Sequence, residues 1–155
     1  MSYTIEGLSP QGFKGLFGLP DEELAKLGAI RVIADAKPGF PCRVTLEDAE
    51  PGESLLLVNH VSNDVSTPYR SAFAVFVREG AEMAARFEDE IPPVFAGRPL
   101  GLRGFDSDGM LRTALLAMPG EADSKIRTLF ERSDVATIHA HNAAHGCFVA
   151  SIERP

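Results

Sequence analysis

Near the C-terminus His139, His141, Asn142, His145 and Cys147 follow one another closely, a concentration of ligating and nucleophilic side chains found nowhere else in the chain. Val135 to His141 and Cys147 to Glu153 read as the two strands of a β-hairpin, split by a glycine-containing loop, Asn142 to Gly146. Alternation puts Val135, Thr137, His139 and His141 on one face of the first strand, and Cys147, Val149, Ser151 and Glu153 on one face of the second. Apolar faces must meet across the pair, since a one-residue slip would mix them. The register this predicts sets Ala140 opposite Phe148 and His141 opposite Cys147, with Cβ atoms ~5 Å apart. An imidazole beside a thiol suggests a nucleophile and its base, with a histidine or Asn142 as orienting group. The bland reading is a small buried cysteine beside a hydrogen-bonded histidine. His139, His141 and His145 also suggest zinc, because His-x-His on a strand points both rings one way. No fourth ligand or carboxylate support accompanies them, so the expectation is no metal and no cofactor.

Two arginines follow stiff dipeptides: Arg43 after Pro41-Cys42, and Arg70 after Pro68-Tyr69. A planar donor fork on a rigid approach suits a carboxylate or phosphate. The competing reading is an ordinary ion pair with one of the 22 acidic residues. Asp106-Ser107-Asp108-Gly109 lacks the remaining oxygen ligands of a calcium loop and reads as a turn. No glycine-rich phosphate loop, G-x-S-x-G or C-x-x-C is present.

The elements that must position these residues are short. Phe13, Leu16 and Phe17 have helical spacing weakened by Gly12, Gly15 and Gly18, and Pro20 to Leu27 reads as a second short helix closed by Gly28. Strands are expected over Ile30–Ala34, Cys42–Leu46, Ser54–Val58 and Ala72–Val77. The last two are apolar on both faces, which places them inside a sheet. A polar loop is expected from Asn59 to Thr67, and a short helix around Glu82 to Phe87. Leu100–Phe105 and Met110–Leu116 flank a hairpin turn, and Ala122 to Arg132 carries one apolar helical stripe. Most gaps are too short for helical crossovers. The fold class is therefore α+β: a single domain over 1–155 with a helical segment at 1–28, a sheet-rich core over 30–155, a mixed, mainly antiparallel sheet, one late helix and a C-terminal β-hairpin.

With 45% hydrophobic and 24% charged residues the chain has an ordinary globular composition. Its net charge of −7 argues against a nucleic-acid partner, and no apolar run is long enough for a membrane helix. The opening residues lack the basic and apolar regions of a secretory signal, and Cys42 and Cys147 are too few for a disulfide scaffold. The expected location is a reducing cytoplasm. Oligomeric state is not readable from the pattern.

Three motifs, in order, carry a resemblance: Pro38-Gly39-Phe40-Pro41-Cys42-Arg43; Pro68-Tyr69-Arg70 leading into Phe76-Val77-Arg78-Glu79; and His141-Asn142-Ala143 with Gly146-Cys147-Phe148. Together they resemble a bacterial family of short proteins classed only as a domain of unknown function. The resemblance spans nearly the whole chain and implies a stand-alone cytoplasmic protein of this size, with no activity attached. The functional expectation is a small-molecule site, for an anionic ligand and with catalysis as one outcome, where Cys42, Arg43, Tyr69, Arg70, Asn142 and the His141/Cys147 pair converge. His141 would serve as acid or base, since imidazole titrates near neutral pH. The alternative is a non-catalytic structural or interaction domain whose motifs only shape the backbone.

Overall fold

The computed structural model describes residues 1–155. Nine strands fall into two sheets, each with antiparallel ladders throughout. The smaller sheet has the order β2–β3–β4, from Ile30–Ile33, Ser54–Asn63 and Ser71–Arg78. The larger has the order β5–β1–β9–β8–β6–β7, from Arg86–Glu88, Thr4–Glu6, Phe148–Glu153, Thr137–Asn142, Leu100–Phe105 and Leu111–Ala117. Helix α1 spans Asp21–Lys26 and α2 spans Ala122–Phe130. The α+β class read from the sequence holds, with two sheets in place of one.

The larger sheet buries its apolar face under α2, whose Ala122, Ile126, Leu129 and Phe130 form the stripe seen in the sequence. The smaller sheet packs Leu56, Val58, Val75 and Val77 against Phe13 and Leu24 of the N-terminal segment. Because β3 pairs Leu57 with Phe76 and Asn59 with Ala74, those four side chains lie on its opposite face.

Several local expectations give way. Phe13 and Leu16 lie on or beside two 3-10 turns, Pro10–Gly12 and Lys14–Leu16, because the interspersed glycines cannot sustain an α-helix. Cys42–Leu46 is a tight buried turn and not a strand: Leu46 N–H donates to Cys42 O, and Leu46 takes φ 54°. Its alternation reports burial on every side, for Cys42, Val44 and Leu46 are all inaccessible. The expected loop after Val58 is instead a continuation of β3 to Asn63, paired with the start of β4. No helix forms at 82–87, where β5 supplies the outer neighbour of β1.

β4 is an edge strand, although its apolar pattern places it inside a sheet. Its exposed ladder is partly covered, since Arg43 N–H donates to Phe76 O (3.0 Å) and Cys42 forms a parallel bridge with Phe76. In hydrogen exchange, β3 amides over Leu55–Leu57, flanked by strands on both sides, should outlast the outward amides of β4 at Ala72 and Ala74. Equal protection would mean that something further covers the β4 edge.

The C-terminal hairpin departs from the predicted register. Thr137 pairs with Glu153 and Ala140 with Ala150, and a bulge at Val149 then brings His141 opposite Phe148. The face parity was right over the outer part of the hairpin, but the register is displaced and the bulge changes which residues meet near the turn. His141 therefore does not face Cys147.

Candidate functional site

The bulge gives the two sides of the hairpin tip different surroundings. His141 and Phe148 turn inward between the sheets. The His141 ring lies 4.9 Å from that of Phe73, and Phe148 is surrounded by His60, His139 and His141 at 5.3 to 6.0 Å. His141 Nδ1 contacts Gly146 O at 2.9 Å, whereas His139 Nδ1 is buried with no partner. Burial pushes both imidazoles down to about 4, aided by the charge of Arg103, and burial lowers His60 as well. These rings are neutral packing groups at neutral pH.

On the other side Asn142 and Cys147 line a cleft of about 400 Å³. Leu57, Ala74 and Phe76 from the outer face of the smaller sheet form one wall, and the tip Ala143-Ala144-His145 forms another. Gly39, Pro41 and Arg43 close one end, with Gly97, Arg98 and Pro99 beside them. The lining is mostly apolar around a few polar groups, the usual make-up of a small-molecule site.

Arg43 is the unusual member. It is 2% exposed, Nε donates to Phe148 O (2.9 Å), and Nη1 donates to Pro41 O (2.7 Å). Nη2 has no protein acceptor and is not sealed from the cleft. No carboxylate pairs with this guanidinium. Burial pulls its pKa down to about 10, and the charge of Arg98 adds to the fall. Arg43 thus stays cationic at neutral pH. Arg98 is neutralised: Nη1 and Nη2 hold the two oxygens of Asp48 at 2.9 and 2.6 Å. Burial acts to raise the Asp48 carboxyl, but the Arg98 bonds and Gly39 N–H outweigh it and hold it low. Two guanidinium groups and one carboxylate leave one uncompensated positive charge in a cleft of a protein with net charge −7.

The remaining residues named from the sequence divide clearly. Cys42 is buried behind the cleft, where its Sγ accepts from Thr45 N (3.4 Å) and Arg78 N (3.3 Å), a structural role. Tyr69 and Arg70 sit at the β3–β4 turn and do not line the cleft; Arg70 pairs with Asp64, and the Tyr69 ring meets Phe105 edge-on. Arg43, Asn142 and Cys147 line one cleft, and Arg70 and His141 do not. Sequence reading missed Arg98 and His145 as lining residues. Gly97-Arg98-Pro99 has the same stiff setting as Pro41-Cys42-Arg43, which was a usable signal for the first. Among His, Cys, Asp and Glu no group of three could hold a metal ion.

This is an α+β protein of two antiparallel sheets with a cleft at their junction. The family described as "Protein of unknown function (DUF1203)" matches residues 39–154, and the chain belongs to it. No curated protein and no solved structure matches it. No helix is long and apolar enough to cross a membrane.

Proposed function

We propose that the protein binds a small organic anion in the cleft, with the anionic group on Arg43 Nη2 and an apolar body against Leu57, Ala74 and Phe76. The observation that carries this reading is the buried Arg43 charge without a counter-ion. An isolated charge is costly to bury, and a carboxylate or phosphate arriving with a ligand would supply what the protein omits. Asn142 supports it: its Nδ2 makes no hydrogen bond within the protein and is left open as a second donor in the cleft lining. Cys42 buried and Cys147 free in the cleft favour a reducing bacterial cytoplasm as the working compartment.

Thermal unfolding with benzoate and with inorganic phosphate tests the reading. A probe at ten times its Kd stabilises by ~1.4 kcal/mol. For a chain of this size that raises the Tm by about 3–5 °C. Ala74→Trp should fill the exposed wall and abolish the shift. Failure of both probes to move the Tm would count against an anion site. It would favour the second reading, in which Arg43 only staples Pro41 O and Phe148 O together.

A further inference from the structure

Cys147 lines the same cleft as the unpaired Arg43, whose Nε donates to the carbonyl of the very next residue, Phe148 (2.9 Å). Strand alternation accounts for its direction, since Phe148 turns inward among the histidines and the preceding residue faces the opposite way. Cys147 is half-buried and free, whereas Cys42 is fully buried and already accepts two backbone N–H groups. Its own N–H makes no backbone hydrogen bond. Buried and cationic, with Nη2 unsatisfied, Arg43 independently marks this place as one that awaits an anion.

We infer that Cys147 is the nucleophile of this cleft, acting on a small carboxylate whose electrophilic carbon lies next to the carboxyl group. The inference rests on the anion-binding reading and adds a reacting atom to it. Arg43 Nη2 holds the carboxylate and thereby fixes the neighbouring carbon near Sγ, which replaces random encounter by orientation. In the step itself the thiol proton leaves to water in the open cleft. The thiolate lone pair then forms an S–C bond while the bond from that carbon to its leaving group breaks, and the leaving group departs with the electron pair. No oxidant or reductant is needed. His141, turned inward with its ring against Phe73, takes no part.

Iodoacetate and iodoacetamide differ in charge but present the same leaving group, so their rates at Cys147 test the inference. The ratio of iodoacetate to iodoacetamide alkylation, read by peptide mass spectrometry, should exceed that of free glutathione by about ten-fold or more. Cys42 should stay unmodified in the folded protein and serve as internal control. Arg43→Lys should lower the ratio sharply. Should that variant fail to fold, benzoate should protect wild-type Cys147 from iodoacetate, and Ala74→Trp should slow both reagents. A glutathione-like ratio in a protein that benzoate stabilises overturns the role of Cys147 and leaves the binding cleft standing. A glutathione-like ratio with stabilisation by neither benzoate nor phosphate overturns both.

Discussion

Lowering the pH from 7 to 5 should remove about 4 kcal/mol of folding stability, most of it through His139 and His141. In the folded chain both imidazoles are pushed down to about 4, against 6.5 when unfolded. A histidine with a depressed folded pKa stabilises the fold at pH values above its unfolded pKa, where it is neutral in both states. The contribution is lost as pH falls from 6.5 towards 4, because the unfolded chain takes a proton that the folded chain refuses. Each group then costs ~1.4 kcal/mol per pH unit, or roughly 2 kcal/mol by pH 5. His60 acts in the same direction. Carboxylates held low by arginines, such as Glu79 at about 2, lose their contribution mainly below pH 4.5, so the window from 5 to 6 isolates the imidazoles. Chemical denaturation there should show a slope near two protons taken up on unfolding. His139→Phe removes one titrating group and an unpartnered buried Nδ1, and should bring the slope close to one. A wild-type slope under half a proton would mean that water reaches these rings.

Gly7→Ala should destabilise the protein by about 3 kcal/mol, the upper part of the range for forced overpacking. A Cβ there would overlap Val44 O, and would lie 2.8 Å from Val44 C and 3.1 Å from Arg43 O. These are backbone atoms that cannot swing aside. The segment is threaded between two others: Gly7 N–H donates to Ala85 O (2.9 Å), Leu8 N–H to Arg43 O (2.7 Å), and Ala85 N–H to Val44 O (2.9 Å). Relief of the clash must push away the turn that presents Arg43, so anion binding should weaken alongside stability. Gly12→Ala is the control, since nothing lies within 4 Å of its added carbon. Urea denaturation of the two variants decides the matter, and equal midpoints would show that the turn yields without cost.

The legible parts of the fold are those specified by local chemistry. β6, β7 and the turn at Asp106–Gly109 follow from alternation and turn residues, and α2 follows from one apolar stripe. Cys42–Leu46 misleads because a turn buried on all sides produces the same alternation as a half-buried strand. The hairpin register fails for a subtler reason: parity arguments assume an unbroken ladder, and no residue type announces the bulge at Val149. At the site, Arg43, Asn142 and Cys147 stand out as polar residues in stiff or turning segments. Arg98 and Arg70 exchange places because an arginine's partner, Asp48 for one and Asp64 for the other, is set by tertiary packing.

The bond from Arg43 to Phe148 O joins residues 105 apart in the chain. β1 likewise has β9 as one neighbour, with Ile5 opposite Ile152, so the beginning of the chain waits beside a gap that only its last strand fills. During synthesis the N-terminal half emerges with its cation and its turn already specified, yet without the carbonyl that anchors them or the hairpin that roofs the cleft. Contacts of such long range must first meet a large loop-closure cost, which slows folding. The cleft is therefore a seal on completed folding: a chain stopped before Phe148 has no pocket to offer a ligand.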